Sequence, residues 1–130
     1  MKKQLLACIL LCWIAPFLFS QQYSVRRLPT QGKPTVPKAI NSNGDVVGYF
    51  YIDNTQTFFH PFLWTKSTGT QDLGTLGGDL GKADGINDRG EVVGSAMNDT
   101  RMAGFYWSQD TGMRDLGSLT GGDTIATAIR

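Results

Sequence analysis

After residue 38 the apolar positions fall in short runs, each closed by a polar, glycine-bearing turn, and the order of the runs repeats. In the second copy, residues 83–86 (Ala-Asp-Gly-Ile) form a short run ended by the turn stretch 87–90 (Asn-Asp-Arg-Gly). Residues 91–95 (Glu-Val-Val-Gly-Ser) follow, with adjacent β-branched residues that favour a strand. A polar loop at 96–101 leads to the run 103–107, which ends on Phe105, Tyr106 and Trp107. A turn at 108–112 then precedes a fourth run, 113–116. The first two runs predict a β-hairpin, because glycine tolerates the positive φ that tight loops need. In the first copy the same place holds Asn43-Gly44, a strong hairpin signal. No stretch after residue 21 keeps a 3.6-residue apolar period, so the pattern predicts four short up-and-down strands per unit and almost no helix.

The repetition is close. Ile40-Asn-Ser-Asn-Gly-Asp-Val-Val-Gly48 returns as Ile86-Asn-Asp-Arg-Gly-Glu-Val-Val-Gly94, and Asp72-Leu-Gly-Thr-Leu76 as Asp115-Leu-Gly-Ser-Leu119. Trp64 and Trp107 stand 43 positions apart, while Ile40 and Ile86 stand 46 apart, which places extra loop residues of the first unit near 51–59. The recurring positions pair as Ile40 with Ile86, Asn41 with Asn87, Gly44 with Gly90, and Gly48 with Gly94. Trp64 pairs with Trp107, Asp72 with Asp115, and Gly74 with Gly117. A third copy begins at Ala126-Thr-Ala-Ile129. Leu28 precedes Ile40 much as Leu73 precedes Ile86, so residues 23–29 read as the end of a preceding unit. Such periods mark modular arrays in which no unit buries its hydrophobic face alone. Four-stranded units of this length are the blades of β-propellers. A β-prism or a stacked solenoid is the alternative. The expected organisation is therefore a signal segment at 1–20, a strand and linker at 21–38, units at 39–82 and 83–125, and the start of a third at 126–130.

Composition changes this picture at the N-terminus. Lys2 and Lys3 precede an apolar run over 5–15, then Pro16 and the small residue Ser20, which reads as a secretory signal helix cleaved before Gln21. Retention as a membrane anchor is the alternative, against which the shortness of the run and Pro16 count. Both cysteines, Cys8 and Cys12, lie inside this segment, so the mature chain has no thiol for a disulfide or a metal. Removing the two lysines leaves 10 basic against 11 acidic residues. Near-neutrality without a basic stripe argues against a nucleic-acid partner.

The motifs Gly85-Ile-Asn-Asp-Arg-Gly-Glu-Val-Val-Gly94, His60-Pro-Phe62 with Trp64, and Asp72-Leu-Gly-Thr-Leu-Gly-Gly78 resemble the HAF repeat, an extracellular repeat family of bacteria. The resemblance covers roughly residues 23–130. The second unit departs from it, with Ala103-Gly-Phe105 where the name-giving histidine would stand. The resemblance implies a secreted, propeller-like protein of unassigned activity and transfers no catalytic residue.

Candidate chemistry is sparse. His60 is the sole histidine and has no cysteine to join it in a zinc site. Asp72 and Asp115 sit one unit apart, which suits turn aspartates accepting backbone N–H bonds better than a catalytic pair. The loops 41–45 and 87–91 carry several oxygens, but Arg89 intrudes and the distal carboxylate of a calcium loop is missing. The glycine-rich stretch 74–82 lacks the first glycine and the Ser/Thr of a phosphate loop. Trp64 and Trp107, with Phe62 and Phe105, read as packing between units, with a sugar-stacking surface as the alternative.

Catalysis needs unique, convergent polar groups, and this chain offers mostly the same residues twice. The expectation is an all-β, secreted, non-enzymatic scaffold without cofactor or metal. Its extracellular partner, a protein or a glycan, would meet the variable loops at 52–58 and 96–101. Fewer than three units do not close a propeller, so either several chains self-assemble to complete a ring, or the native product is longer, or the chain is marginally folded. A fragment of a secreted carbohydrate-active or hydrolytic propeller enzyme is the competing expectation.

Overall fold

The computed structural model describes residues 27–29 and 32–130, and the segments assigned above to a signal helix and to residues 21–26 lie outside them. Eight strands follow in order: β1 (Thr35–Ile40), β2 (Val46–Tyr51), β3 (Phe59–Thr65), β4 (Gly69–Asp72), β5 (Gly81–Ile86), β6 (Val92–Met97), β7 (Met102–Ser108) and β8 (Gly112–Asp115). Among the described residues there is no helix. The strands form two antiparallel four-stranded sheets, β1-β2-β3-β4 and β5-β6-β7-β8, each in simple sequence order. β1 and β5 begin at Thr35 and Gly81, a few residues ahead of the unit starts read from the sequence.

The two sheets correspond pair by pair. Val46 faces Trp64 and Gly48 faces Phe62 in the first; Val92 faces Trp107 and Gly94 faces Phe105 in the second. Each first strand slips register at the same place, between Pro37 and Ala39 and between Ala83 and Gly85. That slip brings the backbone of the first strand down onto the second. A Cβ on Gly48 would lie 2.0 Å from the Val36 carbonyl oxygen, and one on Gly94 2.0 Å from that of Lys82. Only glycine fits there, which is the physical content of the repeated Val-Val-Gly.

The hairpin loops are equally alike. Gly44 and Gly90 adopt φ of 83° and 77°. Their amides donate to the carbonyls of Asn41 and Asn87, both at 3.1 Å. This is a type I turn continued by one left-handed residue, a common three-residue hairpin connection.

The sheets stack in the same sense rather than as mirror images. Side chains alternate faces along a strand, so Val47 and Leu63 point opposite to Gly48, Phe62 and Trp64. Val47 and Leu63, with Leu73 beyond β4, meet Ala83, Val92, Phe105 and Trp107 of the second sheet in the main core. The outer face of the first sheet holds a second cluster, Phe50, Phe62 and Trp64, against which Leu28 and Val46 pack. Leu28 thus stands on the first sheet where Leu73 stands on the second. The far face of the second sheet is crossed by the C-terminal residues, with the Ala126 amide donating to the Gly94 carbonyl at 3.2 Å.

Candidate functional site

The structure distributes the recurring residues over three places. Asn41, Gly44, Asn87 and Gly90 build the hairpin loops, which stack on one another. Asn41 Nδ2 donates to the Asn87 carbonyl at 3.0 Å, and Asn87 Nδ2 to the Arg130 carbonyl at 3.4 Å. Asp88 accepts from the Ser42 amide at 2.9 Å and from its hydroxyl at 3.0 Å. Ile40 and Ile86 flank these loops in a shallow groove of about 460 Å³ with Ile129. Gly48, Gly94, Trp64 and Trp107 lie in the sheets. Asp72, Gly74, Asp115 and Gly117 lie at the exits of β4 and β8, where Asp72 Oδ1 accepts from the Gly74 amide at 2.8 Å and Asp115 Oδ1 from the Gly117 amide at 2.6 Å. No three metal-ligating side chains converge among the described residues.

Two features of the first sheet lack an equivalent in the second. The larger is the β2–β3 corner. The seven residues 52–58 form a loop closed by the Ile52 amide on the Phe58 carbonyl at 3.0 Å. Inside it the Asp53 carboxylate accepts from the amides of Thr57 and Phe58, each at 3.0 Å, and from the Thr55 hydroxyl. The Thr55 hydroxyl, then the two amides, hold the Asp53 carboxyl below its usual range. Gln56 takes a left-handed φ of 56°, uncommon for a residue with a side chain. The loop is therefore fixed from within, and it turns Ile52 and Phe58 outward to solvent.

Behind the loop three rings meet. Tyr49 and Phe59 have centroids 5.1 Å apart, Tyr49 and Tyr51 meet edge-on at 5.7 Å, and Tyr51 and Phe59 at 6.1 Å. The Tyr49 hydroxyl raises the Tyr51 phenol above its ordinary pKa. In the second sheet the register puts Ser95, Met97 and Met102 where Tyr49, Tyr51 and Phe59 stand. The loop there is shorter, with Asn98 Oδ1 accepting from Thr100 and Arg101 amides at 3.0 and 2.9 Å. One corner is thus aromatic and the other is not. The unmatched run of Tyr49, Phe50 and Tyr51 marks this corner in the sequence. Phe59, Phe58 and the inner hydrogen bonding of Asp53 give no periodic signal, and the structure alone brings them in.

The second feature is His60, whose Nδ1 lies 2.9 Å from Asp72 Oδ2 at the edge of the outer face. Ala103 replaces it in the second sheet, where Asp115 instead meets Arg101 Nη2 at 3.5 Å. Covalent catalysis would need a nucleophile beside such an imidazole–carboxylate pair, and among the described residues the His60 ring is hydrogen-bonded to Asp72 alone. Beyond it the outer face opens into an apolar trough of about 680 Å³, with Trp64, Val46, Leu28 and Ile40 on its walls and Lys38 and Lys66 at its rim.

Comparisons with protein families, with curated proteins and with solved structures give no match to this chain.

Proposed function

We propose that this chain is a secreted, non-enzymatic interaction scaffold of the HAF-repeat kind, with its four-stranded sheets serving as propeller-type blades. Support for the architecture comes from the shared register of two sheets stacked in the same sense. Support for secretion comes from the basic start and apolar run of residues 2–20. The observation that carries the binding role is the aromatic corner at β2–β3. Tyr49, Tyr51 and Phe59 back a self-braced loop that presents Phe58 and Ile52, and nothing in the repeat requires any of them.

Rigid aromatic groups with hydroxyls give large contact area at little entropic cost, and they suit either a sugar ring or an apolar side chain of a protein partner. A loop already fixed by Asp53 loses little further freedom on binding. Screening the chain on a glycan array and against extracellular proteins, beside the double variant Ile52→Ala/Phe58→Ala, tests this. The expected outcome is a ligand whose binding drops at least tenfold in the double variant while its melting temperature holds. Hydrolytic turnover of a screened glycoside or ester, abolished by His60→Ala, would replace the scaffold reading with the enzyme one.

A further inference from the structure

Asn43 and Gly44 form the tip of the first hairpin loop, and nowhere else in the chain does glycine follow asparagine. Asn41, Asn54, Asn87 and Asn98 precede Ser42, Thr55, Asp88 and Asp99, each of which carries a side chain. Asn43 is exposed. Apart from its chain neighbours, no heavy atom lies within 4 Å of where a Cβ on Gly44 would stand. A residue without a Cβ leaves its own backbone nitrogen open to the side chain before it. The Gly44 amide donates to the Asn41 carbonyl at 3.1 Å, and that bond must open before the nitrogen can react. Surface turns open locally at little cost in free energy.

The same side chain is a rung between the two sheets. Asn43 Nδ2 donates to the Asp88 carbonyl at 2.9 Å, beside the Ser42 amide and hydroxyl on the Asp88 carboxylate. An amide nitrogen can make that bond and a carboxylate cannot. The Asp45 carboxylate, held by Asn41 Nδ2 at 2.9 Å, already lies in this loop. An acid at position 43 would therefore set a charge against the Asp88 carbonyl oxygen, in a pair of loops that holds the Asp45 and Asp88 carboxylates. The matching residue of the second loop is Arg89, which has no side-chain amide to lose.

We propose that Asn43 is a site of spontaneous chemical modification, converted by water to an aspartyl or isoaspartyl residue, and that the conversion unties the two hairpin loops at this rung. The Gly44 backbone nitrogen gives its proton to solvent and attacks Asn43 Cγ. The bond from Cγ to Nδ2 breaks, and the nitrogen takes a proton and leaves as ammonia. Water then opens the cyclic imide at either carbonyl, so the sum is one water consumed and one ammonia released. Opening at Cγ restores the backbone with an aspartate at 43. Opening at the backbone carbonyl carries the chain through the side chain, one atom longer, which does not fit the turn from Asn41 to Gly44. Either product loses the donor to Asp88. Neither needs an enzyme, a metal or an oxidant, and the site stands whether or not the β2–β3 corner binds a ligand.

The test holds the intact, folded chain at mildly alkaline pH and follows it over time by peptide mass mapping. Asn43 should gain the mass of an amide exchanged for an acid ahead of every other asparagine, and in both linkage forms. Asn43→Gln, whose longer side chain closes a less favourable ring, should not. Asn43→Asp supplies the normally linked product directly. In it, amide exchange at Ser42, whose N–H is held by Asp88, should quicken at least tenfold while the melting curve still shows a folded chain. The same mapping in urea separates the chemistry from the fold. Conversion in urea without conversion in the folded chain overturns the proposal, because the turn would then protect the site. Earlier conversion at Asn41, Asn54, Asn87 or Asn98 overturns it as well. Unchanged Ser42 exchange in Asn43→Asp would overturn the untying of the loops, even with Asn43 converted.

Discussion

The connectors after β4 and β8 are nearly the same sequence in two different situations. Asp72-Leu-Gly-Thr-Leu76 and Asp115-Leu-Gly-Ser-Leu119 leave their sheets through the same aspartate-to-glycine hydrogen bond. The Leu73 and Leu116 amides then donate to equivalent carbonyls, Pro61 at 2.9 Å and Gly104 at 2.8 Å. Up to this point local chemistry decides everything and the copies agree. Beyond it they part: Leu73 is 7% exposed and Leu116 57%. What differs is that the second sheet packs over the first connector, whereas among the described residues no sheet packs over the second. Backbone geometry in this chain is a property of each unit, while side-chain burial is a property of the neighbour.

The sharpest test of the first half of that statement is Gly48→Ala beside Gly94→Ala. Each would drive a methyl group into a backbone carbonyl that cannot move without breaking the β1–β2 or β5–β6 pairing. Each should cost more than about 4 kcal/mol, the range reserved for severe packing or strain defects, and a small domain seldom survives that. Circular dichroism and thermal melts should show the two variants equally damaged. A folded Gly94→Ala beside an unfolded Gly48→Ala would mean that the second sheet tolerates slippage that the first does not, and the equivalence would fail.

Leu73→Ala and Leu116→Ala test the second half. Truncating the buried leucine should cost about 2–4 kcal/mol, whereas the exposed one should change stability by no more than ~0.5 kcal/mol. Equal costs in urea unfolding would show that Leu116 is covered in solution.

Much of this was legible in the residues, and the reason is the same split between local and neighbour-dependent structure. Positions 83–86, 91–95, 103–107 and 113–116 predicted strands, and β5 to β8 lie at those places within a few residues, because turn glycines and β-branched pairs act locally. An all-β chain with two four-stranded sheets follows from that alone. The faces were harder. The run of Tyr49, Phe50 and Tyr51 has alternating sides, but which side is buried depends on residues outside the run: Phe50 joins Phe62 and Trp64 on one face with the Lys33 ammonium 4.6 Å over its ring, and Phe59 packs on the tyrosines of the other. The candidate site was half visible: the extra residues of the first unit's loop are easily seen, whereas Phe59 joining the tyrosines depends on cross-strand register and Asp53 bracing the loop on a fold no periodicity encodes. The stacking of hairpin loops through Asn41 and Asp88 joins residues 46 apart and left no mark beyond the recurrence of asparagine.

That loop ladder gives the next comparison. Asn87 is buried: its Oδ1 accepts from the Arg89 and Glu91 amides at 3.1 and 3.0 Å, and its Nδ2 donates to Glu91 Oε2 at 2.5 Å. Asn41 makes the matching bonds to the Asn43 and Asp45 amides in a more open place. Alanine at 87 should cost roughly 1–3 kcal/mol, because it strands amides that water reaches poorly, and alanine at 41 should fall near the low end of that range. The opposite order in chemical denaturation would show that burial by the neighbour does not govern the ladder.

The smallest expected effect is in the acid limb. Glu91 receives the Arg89 guanidinium at 2.6 Å, the Asn87 amide at 2.5 Å and the Tyr106 hydroxyl at 2.9 Å. Together, Arg89 first, these donors hold its carboxyl at about 2 instead of the ordinary 4.5. In the first sheet the loop that matches has Asn43 and Leu63 where Arg89 and Tyr106 stand, so this network belongs to the second sheet alone. Since the folded form releases the proton more readily than the unfolded one, the unfolded chain binds more protons between those two values. The stabilisation is complete above the unfolded pKa and is lost as pH falls from about 4.5 toward about 2. Glu91→Gln keeps the shape and removes the charge, so its stability should change less with pH than the parent's across that window, and the two profiles should converge at its acid end. The group is near the surface, so added salt should shrink the difference. Parallel profiles for parent and variant would show that the network does not hold the carboxylate in solution, and would leave the loops of the two sheets electrostatically alike.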